Sequence, residues 1–179
     1  MAITPPSERI WWKEPVHKVE IIWVIIAFLW GVAMFFTMIW WHGFGQVNMS
    51  NEAYRVQPFQ FAEKDDAMVA THTVRQEGAF PVVKPPPGSD VYMMGRVYMW
   101  WPMLELEKGQ TYRLHLSSID LQHGFSLQPL NINIQVHPGY ESVMTITPTS
   151  SGEFGIVCNE YCGLGHHTMT GRIYVVERT

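Results

Sequence analysis

Residues 158–169 read Cys158-Asn-Glu-Tyr-Cys162-Gly-Leu-Gly-His166-His-Thr-Met169, and the two cysteines in this stretch are the only ones in the chain. Two thiols, an imidazole and a thioether thus follow one another as Cys-x3-Cys-x3-His-x2-Met. Thiolate and thioether are soft ligands and imidazole is borderline, a set that suits copper rather than magnesium or calcium. Gly163 and Gly165 let such a loop curl tightly enough to bring all four donors to one point. Other readings of the same residues stay open. A Cys158–Cys162 disulfide suits an oxidising compartment but leaves the His and Met spacing unexplained. A structural zinc site takes Cys-x2-Cys or longer pairs and does not use Met. A one-copper blue site takes a single Cys with two His and a distant Met. Two cysteines argue instead for two metals that share bridging sulfurs.

A redox metal needs a rigid frame on both sides of its loop. From Val91 onward, apolar and polar residues alternate in short runs separated by turn residues. Val91–Trp100 reads as one strand, and Thr111–Ser118 as the next after a Lys108-Gly109 turn. In the latter, Tyr112, Leu114 and Leu116 make one apolar face. Asn131–Val136 follows, ended by His137-Pro138-Gly139, and then come Glu141–Thr147, Glu153–Cys158 and Gly171–Glu177. Six or seven short strands over about ninety residues predict an antiparallel sandwich or barrel, with the metal loop between its last two strands.

The front of the chain is of another kind. From Ile21 to Trp41 there is no charge, and about 21 residues at ~1.5 Å each match the hydrocarbon core of a bilayer. A single transmembrane helix is expected over residues 19–42, closed by the interfacial residues Trp40, Trp41 and His42. Arg9, Lys13 and Lys18 precede it, while only Arg55 follows within the next fifteen residues. The positive-inside rule therefore puts residues 1–18 in the cytoplasm and 43–179 outside. Residues 43–90 read as a polar, irregular extracytoplasmic linker. They carry a Pro85-Pro86-Pro87 tract that favours extended backbone, and the folded domain spans 91–179. A net charge of −4 and a pI near 6.0 leave no basic footprint for nucleic acid. After residue 42 the balance is nine Lys and Arg against thirteen Asp and Glu, which suits a basic protein partner. No nucleophile-base pair or phosphate loop can be assigned, so no bond chemistry is expected from this chain alone.

The Cys158–Met169 loop resembles, at every ligand position, the binuclear CuA loop of subunit II of cytochrome c oxidases, a loop also found in nitrous oxide reductases. In that family a further His followed by Gly arrives from an earlier strand, as in Leu121-Gln-His123-Gly124-Phe125 here. The Asn131–Val136 and His137-Pro-Gly139 segments are similar as well. The resemblance covers roughly residues 91–178 and implies an all-β cupredoxin-like sandwich preceded by a single N-terminal transmembrane α-helix. It implies that Cys158 and Cys162 bridge two copper ions as thiolates. His123 and Met169 complete one copper; His166 and the backbone carbonyl of Glu160 complete the other. The spacing selects His166 over His167, and surface or strand roles are left for His72, His115 and His137.

The function so implied is that of the electron-accepting subunit of a haem-copper terminal oxidase in a bacterial or archaeal cell membrane. Cytochrome c or another small redox carrier reduces the copper pair, and the electron passes to haem in subunit I for oxygen reduction. The alternatives are the CuA subunit of a haem-copper nitric oxide reductase and, in a different class, a membrane-tethered copper carrier. A single anchor in membrane lipid and the segment Thr73-Val-Arg-Gln-Glu-Gly78 resemble the B-type branch of these oxidases. Glu160 departs from that branch, where some members have Gln. In other branches a Glu there also offers its side chain to a magnesium ion at the interface with subunit I. Glu20 resembles by position the B-type glutamate near the mouth of a proton pathway; an interfacial charge ending the span is the equal alternative. Trp100 and Trp101, adjacent on a predicted strand, face opposite sides. One is expected in the core and the other at an exposed electron-uptake patch, with core packing the alternative for both.

Overall fold

A computed structural model describes residues 15–45, 51–130 and 132–178, and the chain divides into two compact units, Met1–Asn48 and Met49–Thr179. Arg9 and Lys13, on which the expected orientation rests, lie outside the described residues.

The first unit contributes one helix, α1 (Lys18–Phe44), whose 27 residues span about 40 Å. It is long and apolar enough to cross a membrane, with a mean hydropathy of 2.4 over its most apolar stretch and no side chain buried within the chain. A helix so uniformly apolar has no face to turn to a protein core and every reason to meet lipid. Glu20 closes its first turn, the carboxylate accepting the His17 backbone N–H at 3.1 Å.

The second unit holds the strands β1 (Asn51–Arg55), β2 (Thr73–Glu77), β3 (Phe80–Val83), β4 (Asp90–Arg96), β5 (Met99–Trp101), β6 (Met103–Glu107), β7 (Tyr112–Ser118), β8 (His123–Gln128), β9 (Ile132–Val136), β10 (Tyr140–Ile146), β11 (Gly152–Cys158) and β12 (Thr170–Val176), with helix α2 (Pro58–His72) after β1. They form two sheets, in the orders β1-β10-β7-β4-β5 and β2-β3-β6-β12-β11-β8-β9. The two sheets make a cupredoxin-like sandwich. Its core interleaves Met93, Leu114, Leu116 and Met144 of the first with Leu104, Phe125, Ile156 and Ile173 of the second. The pairings are not all antiparallel: β3–β6, β4–β7 and β6–β12 run parallel, because the chain crosses between sheets after β3, β5 and β6.

The strand expectations need three corrections. Val91–Trp100 is a hairpin rather than one strand: β4 turns at Val97-Tyr98, and Gly95 faces Trp100 across the pair. No polar turn residue marks the reversal, so periodicity runs through it unbroken. β7 buries Tyr112, Leu114 and Leu116 as expected, but His115 and Ser117 on the other face are buried too. There His115 is covered by the Tyr92 ring, 4.8 Å away, and Ser117 Oγ donates to the Tyr140 carbonyl at 2.8 Å. Third, the span expected as an irregular linker carries β1, α2, β2 and β3, and all four join the second unit. Its proline tract is a tight turn between the sheets, with Gly88 at φ +80° and Ser89 N–H donating to the Pro86 carbonyl at 3.2 Å. α2 turns Phe61, Asp65 and Met68 inward, at the spacing of one helix face, and Phe61 meets Tyr92 edge-on at 5.5 Å.

Candidate metal centre

Three neighbouring strands deliver the donors to one end of the larger sheet. Phe125 on β8 pairs with Cys158, the last residue of β11, and Val157 pairs with Thr170, the first of β12. His123, Cys158 and Met169 are therefore neighbours by register, before any side chain is considered. The intervening loop is closed on itself by Cys158 N–H donating to the Met169 carbonyl at 3.1 Å. It is held against β8 by Asn159 N–H on the Gly124 carbonyl at 3.2 Å. That approach is tight: a Cβ on Gly124 would meet the Glu160 backbone nitrogen at 2.8 Å. The loop ends in one 3-10 turn, His166–Thr168, that carries one donor and leads into another.

The sulfurs of Cys158 and Cys162 stand 3.9 Å apart, both buried and unbonded. His123 Nδ1 is 4.0 Å from Cys158 Sγ, and the Glu160 carbonyl lies 3.2 Å from the same sulfur. His166 Nδ1 and Met169 Sδ each lie 3.7 Å from Cys162 Sγ. Each sulfur thus has beside it one donor of each pair implied by the family resemblance. His123, Cys158 and Cys162 form the one group of three or more His, Cys, Asp or Glu, among the described residues, whose donor atoms converge enough to hold a metal. The donor set fits a pair of copper ions: soft sulfur five times, counting each thiolate twice and the Met169 thioether once, imidazole nitrogen twice, and one carbonyl. His167 is exposed.

One contributor carried no signal in the sequence. Asp120 accepts from His123 Nε2 at 2.8 Å, from the Val97 N–H at 2.7 Å and from the Leu121 N–H at 2.6 Å. Burial pushes its carboxyl up, but the His123 bond and the two backbone N–H groups outweigh burial and hold it below the ordinary range. With Nε2–H committed to Asp120, the Nδ1 lone pair of His123 is the one free to face the sulfurs. Burial, and then the neighbouring Cys158 thiol, push the Cys162 thiol up to about 11, so metal must displace a proton there.

The aromatic residues divide unexpectedly. Trp100 is fully buried and packs edge-on against both His123 (6.0 Å) and Phe125 (5.3 Å). Trp101 is half-buried, with the Arg96 guanidinium 5.7 Å from its ring centre. Neither forms an exposed patch. The aromatic at the surface of the site is Tyr161, 73 % exposed, its ring 5.8 Å from that of His166. The Glu160 carboxylate accepts from Gln135 Nε2 at 3.1 Å.

No family model matches the chain. Among curated proteins it is similar to a cytochrome c oxidase subunit 2 of Thermus thermophilus, 39 % identical over 112 residues that cover 59 % of this chain and 83 % of the relative. A probable cytochrome c oxidase subunit 2 of Streptomyces coelicolor is 37 % identical over 76 residues, covering 42 % of this chain and 24 % of that protein. Among solved structures, a chain of a heme-copper terminal oxidase dimer shares the fold, with a TM-score of 0.56, 19 % identity, and coverage of 89 % of this chain and 100 % of that one.

Proposed function

The chain belongs to the cytochrome c oxidase subunit 2 family, and on that premise we propose that it is the electron-accepting subunit of a haem-copper terminal oxidase. It takes electrons from cytochrome c or another small carrier at a two-copper centre and passes them to haem in subunit I. The observation that carries the reading is the convergence of four further donors on two unbonded sulfurs 3.9 Å apart. Cys158 and Cys162 would hold both copper ions through their thiolates, His123 and Met169 would complete the set for one, and His166 with the Glu160 carbonyl would complete it for the other. When bound, such a pair supplies a one-electron carrier whose charge is spread over two ions.

The protein's own part is to hold these groups still. Asp120 fixes the ring and tautomer of His123, and Trp100 backs the same ring. Cys158, Cys162 and Met169 are each nearly fully buried, which keeps water from the sulfurs. His166, half-buried under the exposed Tyr161, is the edge through which a docked carrier reaches the site. Both thiols lose their protons on loading, so copper affinity falls as pH falls.

α1 serves as the anchor in membrane lipid found among the described residues, with its N-terminal end cytoplasmic and the β-domain on the extracytoplasmic side. One anchor among the described residues and the segment Thr73-Val-Arg-Gln-Glu-Gly78 support the B-type branch. Glu20, engaged in capping α1, fits a helix-end charge at least as well as a proton-pathway residue. Electron paramagnetic resonance of the copper-loaded chain tests the reading. One unpaired electron coupled to two copper nuclei is expected, and lost in Cys158→Ser and Cys162→Ser. A single-nucleus pattern in the parent chain would overturn it.

A further inference from the structure

We propose that Asp65, on the inward face of α2, is a proton-binding site linked to the oxidation state of the metal centre, with water bridging it to Arg96. The inference rests on the copper reading above. Asp65 is fully buried, and neither of its carboxylate oxygens has a hydrogen-bond partner among the described residues. Arg96 Nη2 stands 3.9 Å from Asp65 Oδ2, beyond hydrogen-bond reach, and is shared with Asp66 Oδ1 at 3.5 Å. Arg96 Nε is also buried without a partner among the described residues, as is Nε1 of Trp101, the indole that lies against the guanidinium. Two acceptors and two donors are thus buried and unmet around one guanidinium. Native interiors resolve such a cluster with bridging water or by keeping a proton on the carboxyl.

The charges that reach Asp65 are few. Arg96 on β4 favours its ionised form, Asp66 opposes it, and burial exceeds both, pushing the carboxyl up to about 8. Lys64 on α2 itself lies over the Tyr92 ring, and the other charged or titratable groups on β2 and β7 are engaged elsewhere: His115 with Glu141 and Asp90, Arg113 with Glu52 and Asp90, and Arg75 with Glu77 and Glu105.

Arg96 sits on β4 between two residues that touch the surroundings of His123. A Cβ on Gly95 would lie 2.9 Å from His123 Cδ2, and Val97 N–H donates to Asp120, the partner of His123 Nε2. A charge at Asp65 is therefore felt at the centre across a single strand. In the pH range around 8 where Asp65 titrates, an electron arriving from the donor protein draws a proton from bulk water onto the ionised carboxylate, forming an O–H bond, and reoxidation releases both. The linkage is reciprocal, so ionising Asp65 lowers the reduction potential of the centre.

The test uses the copper-loaded full chain in detergent, its potential followed by spectroelectrochemistry across a pH range centred on about 8. The potential should fall as pH rises through that range, and the slope should vanish in Asp65→Asn but persist in Asp66→Asn. Reduced-minus-oxidised infrared spectra should show a carboxylic C=O band that shifts in D2O and is missing from Asp65→Asn. In the unsubstituted chain this band needs no variant to fold. An intact two-copper spectrum with a flat potential, or with slope and band unchanged in Asp65→Asn, overturns this inference alone. Loss of the two-copper spectrum in the parent chain overturns the copper reading and takes this inference with it.

Discussion

Asp120 gathers two backbone N–H groups, the Ser118 hydroxyl and the ring nitrogen that fixes His123. Removing it in Asp120→Ala should weaken copper binding by roughly 10–100-fold, the usual cost of losing a partner of a metal-ligating histidine. Competition against a chelator of known affinity measures this, and unchanged affinity would reduce Asp120 to a turn residue. Gly165 poses a steric question instead. Its backbone is ordinary (φ −90°), but a Cβ there would enter the Tyr98 ring, with atoms at 2.3 and 2.6 Å. Gly165→Ala should cost about 1–3 kcal/mol of stability by overpacking, read from denaturant melts of the metal-free chain. Loop curvature was the reason expected from sequence for both glycines, and it holds for Gly163 at φ +123°. The spacing of thiols, imidazole and thioether singled out residues that the fold brings together, since ligand chemistry dictates residue type. Asp120 was not legible, because an aspartate before a strand is ordinary turn chemistry until the fold brings His123 Nε2 to it.

Among the elements that sequence patterning hid, α2 contributes a buried face. Its inward residues Phe61, Asp65 and Met68 have helical spacing, but an aspartate in the middle of the stripe and charged neighbours on both sides suppress the apolar signal. β4 and β5 were merged for the opposite reason, their turn being as apolar as the strands. The strands flanking the metal loop were legible because one face of each is buried and the other is not. Two measurements address α2. Phe61→Ala should destabilise the chain by about 3–5 kcal/mol, since a fully buried ring would leave a cavity between α2 and β4. Asp65 should make stability pH-dependent. Its carboxyl is near 3.8 when unfolded and about 8 when folded, so the folded state holds the proton more tightly. Its contribution is fully present below the lower value and is lost as pH rises towards about 8, above which it levels off. Asp65→Asn should therefore be no more stable than the parent chain in acid, and increasingly more stable than it as pH rises. Melts that track each other at every pH would contradict this.

At the scale of the molecule, the unit Met49–Thr179 contains its own two-sheet core and every proposed metal donor. Cutting away residues 1–48 should leave a soluble domain with the near-ultraviolet circular dichroism and copper spectrum of the full chain. A truncated protein that unfolds or cannot hold copper would show that α1 is more than an anchor. The division into an apolar helix and a β-domain was readable from the uncharged run Ile21–Trp41 and the alternation after Val91. The boundary between them was not, because β1, α2, β2 and β3 earn their places only by contacts to strands far along the chain.

The bond from Cys158 N–H to the Met169 carbonyl turns the ligand segment into a ring pinned to two strands of one sheet. Freeing either end of that ring, Cys158 or Met169, means peeling apart strands that also carry the core. Metal therefore enters a socket already shaped for it, so uptake should keep pace with collisions rather than wait on a rearrangement, and escape should be as rare as the unzipping of the sheet itself.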